Sequence, residues 1–240
     1  MPVGSNATLP PVAMVSFWRD DAQKHIPVRT AHLLSKTYPA LRWVWVVGDS
    51  MDDTEQRLQA VIDAHHDLDI TLVRGDTGIT AEDPANRVAR LGQTANVGLA
   101  QVHEADAWVL VHESDLQSPA DVVEQLLAAE KPVCGGSVWL SVNGQTVFYD
   151  TWGYRKGGEL FSNHAPYCTG YDAEQPFEVD SVGSVYLFPA QDVLEGARYD
   201  QWAVVGLMRA LRERGRSVWC VPAVRIVQPV DLWVSREHAR

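Results

Sequence analysis

Apolar and polar positions along this chain follow two rhythms. Short unbroken apolar runs lie in "VAMVSF" (12–17), "LRWVWVVGDS" (41–50), "DITLVRGD" (69–76) and "AWVLVHES" (107–114). Each is bounded by polar residues, which predicts strands buried on both faces. Between them the spacing is helical. "QKHIPVRTAHLLSKTYP" sets Val28, Ala31, Leu34 and Ser35 on one face and stops at Pro39. "DDTEQRLQAVIDAHH" opens on acids, which favour a helix N-terminus. A long third helix is expected over 85–105, and a fourth in "PADVVEQLLAAE", with Pro119 near its start where a missing N–H costs nothing. This alternation predicts a parallel, doubly wound sheet with helices on both faces. The pattern then changes. Residues 133–150 read as a hairpin around Asn143-Gly144, 177–189 as one strand, 201–215 as a helix closed by Gly215, and "SVWCVPAVRIV" as a last strand. The expected class is α/β, with a mostly parallel central sheet and a mixed second half.

In such a sheet ligands bind at the carboxyl ends of the strands. Those ends are polar here: Arg19 and Asp20, Asp49 and Ser50, Arg74 and Asp76, Glu113 and Asp115. Glu113 and Asp115 stand at i and i+2 beyond a buried strand, where both carboxylates can face one cation. Mg2+ or Mn2+ takes oxygen ligands, often one or two carboxylates together with substrate phosphates. The plain alternative is a solvated loop before a helix capped by Ser118. Likewise Asp52, Asp53 or Thr54 caps the second helix, while Asp49 and Ser50 are candidates for base or ribose recognition. Arg19 and Arg87 are candidate phosphate donors or surface ion pairs. Asp180 precedes a Gly-containing turn, as a turn residue or as a general base. "YDTWGY" groups Asp150, Trp152 and Tyr154. Aromatics beside acids bind sugars by stacking, and equally serve packing.

Composition narrows the partners. The 240 residues are 46% hydrophobic and 21% charged, with a formal net charge of -11. That acidity gives no general electrostatic help toward nucleic acid or anionic membrane. The only basic clusters are Arg155-Lys156 and the run Arg209, Arg212, Arg214, Arg216. Cys134, Cys168 and Cys220 form no C-x-x-C pair, so a reducing compartment is expected rather than a disulfide framework or zinc site. The N-terminal stretch lacks the pattern of a signal peptide, and no apolar run approaches the roughly 20 residues of a membrane helix. A soluble cytoplasmic protein is expected. The 9 Trp are core or binding-cleft material.

Taken in order, these segments resemble the glycosyltransferases of the GT-A fold, and most closely the fungal mannan-polymerase type of α-mannosyltransferase. "VAMVSFWRDDA", "KTYPALRWVWVVGDSMDDTEQRL", "ADAWVLVHESDL", "FEVDSVGSVYLFPA" and "RALRERGRSVWCVPAVRIV" carry the resemblance, at matching order over most of the chain. It implies a single GT-A domain over 1–240, with a nucleotide-sugar-binding half at 12–118 and an acceptor-side half at 119–240. The implied activity is metal-dependent hexosyl transfer from a GDP- or UDP-sugar to an acceptor hydroxyl. Asp115, with Glu113, is expected to hold Mn2+ or Mg2+ against the diphosphate, and Glu113 to border the donor. Ser16, Phe17, Arg19, Asp49 and Ser50 are expected to hold the nucleoside, and Arg87 to assist with charge. Asp180 is the expected catalytic residue, with Asp150 and Trp152 on the acceptor side. Two departures stand out. Gln228 occupies the place where many members carry a metal-binding His, and "AVVG" (203–206) replaces the acids of the penultimate helix, leaving nearby Asp200 as the catalytic substitute. The acceptor is a glycan, a protein, a small molecule or, in an enzyme of bacteriophage or bacterial type, a hydroxylated DNA base. Two other classes fit part of the pattern: a nucleotidyltransferase, against which the absence of a Gly-rich basic loop after the first strand speaks, and a non-catalytic nucleotide-sugar-binding protein.

Overall fold

Four parallel strands form the front of one sheet: β1 (Val12–Trp18), β2 (Leu41–Val47), β3 (Ile70–Arg74) and β4 (Trp108–His112). The structure is a computed structural model and describes residues 8–19, 25–79, 84–142, 145–148, 152–157, 159–160 and 174–229. The helices between these strands are α1 (Ile26–Leu34), α2 (Thr54–Ala64) and α3 (Pro84–Leu99), and α4 (Val122–Ala128) follows β4. Then come β5 (Val133–Val142), β6 (Gln145–Phe148), β7 (Arg155–Lys156), β8 (Glu159–Leu160), β9 (Phe177–Val179), β10 (Val185–Pro189), α5 (Ala190–Leu194), α6 (Val204–Glu213) and β11 (Val218–Pro229). Among the described residues the main sheet has nine strands, in the order β3-β2-β1-β4-β10-β5-β11-β9, with β6 paired to β5. β7 and β8 pair with each other.

Alternation along the buried strands feeds two cores, because successive side chains point to opposite faces. Val15, Val44, Val46, Val109 and Val111 meet Ala95 and Leu99 of α3, Val193 of α5 and Leu207, Met208 and Leu211 of α6. Val12, Met14, Trp43, Trp45 and Leu110 meet Ile26 and Leu33 of α1, Leu58 of α2 and Val122, Val123 and Leu126 of α4. Helix α3 lies close on the strands because Gly98 has no side chain: a Cβ there would stand 2.9 Å from Val46 Cγ2.

The structure corrects three local expectations. The buried residues of α1 are Ile26, Arg29, Thr30 and Leu33, and Val28 is 65% exposed, so the helix is turned by about one residue from the expected face. The expected strand over 177–189 is two strands. β9 lies at the sheet edge on β11, β10 lies antiparallel between β4 and β5, and the chain crosses between them through Gly183 and Ser184, the latter at φ +66°. Helix α4 takes Asp121 as its N-cap, so Ser118 is free of that duty. The 133–150 hairpin is present as β5 and β6 in the Val142–Gln145 register, and its turn residues Asn143 and Gly144 lie outside the described residues.

Candidate active site

β1 lies where the chain reverses across the sheet, with β2 and β3 on one side and β4 on the other. Such a reversal opens a crevice beyond the carboxyl ends of the strands. β1 delivers Phe17, Trp18 and Arg19 to it, and β4 delivers the loop 113–118 with Glu113 and Asp115.

That loop is held from several sides. Ser114 Oγ donates to the Phe17 carbonyl at 2.6 Å, tying the ends of β1 and β4 together. The Glu113 amide donates to the Ser184 carbonyl at 3.1 Å, and the Leu116 amide closes a turn on the Glu113 carbonyl at 3.2 Å. Gln117 and Val227 exchange amide–carbonyl bonds of 2.8 and 2.7 Å, which lays the end of β11 beside the loop. The Ser118 amide donates to His32 Nε2 at 2.9 Å, and Lys36 Nζ donates to the carbonyls of Ser118 and Pro119 at 3.2 and 3.3 Å.

Beneath the loop His112 is fully buried. Its Nδ1 lies 2.9 Å from the Glu113 carbonyl, which only accepts, so Nδ1 carries the proton and Nε2 accepts from Ser118 Oγ at 2.8 Å. Burial, then the Lys36 charge, lowers its pKa to about 3. The same causes lower His32 to about 4, keeping its Nε2 open to the Ser118 amide. Burial lowers Lys36 to about 8, opposed by the charge of Asp121. This His32–Lys36–His112–Ser118 cluster escaped sequence reasoning. Its two local pairs, His32 with Lys36 and His112 with Ser118, come from segments far apart in the chain.

Of the candidate metal-binding residues, Asp115 and Gln228 meet. Glu113 is exposed, Asp115 is half-buried, and Gln228 Nε2 reaches Asp115 Oδ2 at 3.5 Å, the outer limit of a hydrogen bond. Among the described residues no three His, Cys, Asp or Glu side chains gather as a ready-made cage. The set offers carboxylate and carboxamide oxygens, hard donors of the kind Mg2+ and Mn2+ take, and it suits a cation that draws its remaining ligands from a bound diphosphate. The residues present fit such a group only in that shared form.

The nucleoside-side candidates divide. Ser16 is fully buried within β1, so a ligand at the strand end meets Phe17 and Arg19, both half-buried, rather than the Ser16 hydroxyl. Asp49, at φ +47°, accepts from the Thr77 hydroxyl at 2.7 Å and from the amides of Thr77 and Gly78 at 2.9 and 3.2 Å. Burial raises its pKa, but these bonds and the charge of Arg90 outweigh that and hold it below the ordinary value. Its carboxylate therefore braces the loop after β3, with Ser50 half-buried beside it. Arg87 is exposed on α3, whereas Arg90, one turn on, is 6% exposed and is the arginine whose charge Asp49 feels. The spacing from Arg87 to Arg90 was the available signal for it.

Beside α6 Asp180 pairs with Arg212 at 3.0 Å and Asp200 with Arg209. Arg214 donates to the Glu195 carbonyl at 3.1 Å, and Arg216 grips the buried Asp192 with its Nε 2.9 Å from Oδ2. The run of arginines seen in the sequence is thus engaged by acids and carbonyls and presents no basic patch. The Asp200 carboxylate rests over Gly206, where a Cβ would overlap it, so "AVVG" makes room for an acid supplied by the preceding turn. Tyr199 is buried, bonded to the Tyr186 hydroxyl and clasped by Asn96 at 3.0 and 2.9 Å. Its pKa is raised by burial, opposed by the Tyr186 bond and helped by the charge of Glu113. Trp152 is exposed, and Asp150 lies outside the described residues.

No protein-family profile and no curated protein matches the sequence. Solved structures do match. GalNAc-T7 with UDP, GalNAc and Mn2+ superposes at a TM-score of 0.64 and 10% identity, over 93% of this chain and 44% of that one. S. aureus TarS 1-349 superposes at a TM-score of 0.58 both alone and with UDP, at 13% and 14% identity, over 91% of this chain and 60% of that one. The fold is the GT-A fold of these glycosyltransferases. This chain spans 44% of the first neighbour's length and 60% of the second's. Among the described residues no helix is long and apolar enough to cross a membrane.

Proposed function

We propose that this chain is a nucleotide-sugar-dependent glycosyltransferase. The observation that carries the reading is the acid loop: Glu113 and Asp115 stand on a segment bonded to β1, α1, β11 and Ser184 just before β10, at the crevice where this fold receives ligands. The UDP and Mn2+ held by GalNAc-T7 support a donor of the nucleoside-diphosphate class. Asp115, Glu113 and Gln228 would hold Mn2+ or Mg2+ together with the donor diphosphate. Bound there, the cation supplies Lewis-acid neutralisation of the leaving nucleoside diphosphate. Phe17, Arg19 and Ser50 would line the nucleoside, with Asp49 bracing that wall and Arg87 and Arg90 lending positive charge. Asp180 and Asp200 would face the acceptor hydroxyl, one of them taking its proton as general base. The mannan-polymerase resemblance makes GDP-mannose the default donor, with UDP-sugars beside it, and the acceptor a sugar or protein hydroxyl. A DNA acceptor is disfavoured by the engaged arginines and the net charge of -11.

A second reading, a nucleotide-sugar-binding protein without turnover, draws on the ion pairs that occupy Asp180 and Asp200. A panel of UDP- and GDP-sugars incubated with Mn2+ or Mg2+ separates the two, with nucleoside diphosphate release as the readout. The transferase reading expects turnover of at least one donor and its loss by about 100-fold or more in Asp115→Ala. Binding without turnover favours the second reading, and neither binding nor turnover overturns both.

A further inference from the structure

Among the described residues tryptophan has one habit with one exception. Trp18, Trp43, Trp45 and Trp139 are at most 9% exposed, and Trp108 and Trp219 pack partly buried against a core. Trp152 and Trp202 are 40% and 45% exposed, and they lie together, ring centroids 6.5 Å apart and planes 23° from parallel. Each indole keeps a large part of its apolar surface in water.

Each indole sits on a well-anchored arm. Below Trp152, Tyr154 is buried edge-on against Phe148 at 5.0 Å, and the Arg155 carbonyl accepts the amides of Asp180 and Ser181 at 2.7 and 3.2 Å. Trp202 lies in a tight turn, its amide donating to Asp200 Oδ1 at 2.7 Å and the next residue, Ala203, held at φ +50°. A non-glycine residue in that region costs energy and persists where its surroundings enforce it. The Trp152 arm is therefore stitched to Asp180, and Trp202 stands two residues from Asp200. The rim carries both signs in compensated form: the Arg155 guanidinium 5.6 Å from the Trp152 ring, the Asp180–Arg212 pair and the Asp200–Arg209 pair.

We propose that Trp152 and Trp202 form a carbohydrate subsite that seats a neutral pyranose of the acceptor beside Asp180 and Asp200. The assignment rests on the transferase reading above. A pyranose has an apolar C–H face, which lies on an indole, and a rim of hydroxyls, which both give and take hydrogen bonds. An aromatic pair edged by carboxylates and guanidinium groups answers both. A nucleic acid would also stack, but its phosphates would meet Asp180 and Asp200 on a chain of net charge -11, without the basic groove such binding needs.

Saturation-transfer NMR on the full chain tests this, using methyl α-mannopyranoside, methyl α-glucopyranoside and methyl β-galactopyranoside as probes. Ring C–H protons of at least one glycoside should be saturated. Its affinity should fall by about tenfold in Trp202→Ala and in Trp152→Ala and recover in Trp202→Phe, which keeps an aromatic face. Recovery in the Phe variant excludes a mere folding defect. The subsite is overturned if no glycoside is saturated, if saturation is indifferent to both alanine variants, or if a thymidine dinucleotide or tyrosinamide competes for the same indoles more strongly than any sugar. Donor turnover measured alongside keeps the failures apart. Turnover that survives Asp115→Ala defeats the transferase reading, whereas normal Asp115-dependent turnover with tryptophan-independent sugar binding defeats the subsite alone.

Discussion

The loop 113–118 and the turn 199–203, whose Tyr199 feels the charge of Glu113, are built in opposite ways. The loop is fixed by main-chain bonds to Ser184 just before β10 and to β11, by Ser114 to β1, and by a buried histidine–lysine cluster below it. The turn shows an exposed indole, a half-exposed carboxylate and a strained alanine. Fixed geometry suits the cation and diphosphate proposed for the loop.

That contrast can be broken most forcefully at Lys36. Lys36→Met strips the Ser118 and Pro119 carbonyls of their donor, and should lower unfolding free energy by about 2–3 kcal/mol and donor turnover by about tenfold or more. Urea unfolding and turnover measured on one preparation check both. Lost stability with unchanged turnover would show that the cluster supports the fold and not the acid loop.

Acid probes the same cluster more gently. Folded His112 and His32 have pKa values lowered from 6.5 to about 3 and about 4. Below about pH 6.5 the unfolded chain binds protons that the folded chain refuses, so stability is retained above that value and falls as pH drops toward 4. By pH 5 His112 alone should account for a loss on the order of 2 kcal/mol. His112→Asn, which retains a donor for the Glu113 carbonyl, should flatten the fall in unfolding midpoint between pH 7 and 5; an unchanged slope would assign the loss elsewhere.

On the exposed side the expected pattern inverts. Gly206→Ala pushes the Asp200 carboxylate off the start of α6, and should cut transfer by about tenfold while changing stability by less than about 1 kcal/mol. Transfer that persists would remove Asp200 from the reaction. The smallest effect is expected at Gln228, whose contact with Asp115 is long. Gln228→Ala should raise the Mn2+ concentration for half-maximal turnover by about threefold, and Gln228→His should lower it.

The parallel front of the sheet was legible because each of its strands is a continuous apolar run with helical spacing on either side. The acid loop was legible because a charged pair after such a run is conspicuous. Partnerships across the chain were not. His32, Lys36 and His112 read as ordinary helix and strand residues until the fold stacks α1 beneath the loop, and Arg90 was passed over for Arg87 because the two differ only in which way α3 faces. The break between β9 and β10 was hidden because "FEVDSVGSVYLF" keeps strand-like residues across a crossing of the sheet.

β10 joins the front of the sheet to the rear: β4 bonds to it on one side and β5 on the other. The front strands come from residues up to His112, but this connecting strand comes from Val185–Pro189. A chain emerging from the ribosome can therefore align β3, β2, β1 and β4 well before their open edge is covered, and for more than seventy residues of synthesis β4 offers unpaired amides and carbonyls to any neighbouring strand. Truncations ending between β4 and β10 should therefore be the forms most prone to aggregate, as light scattering would read.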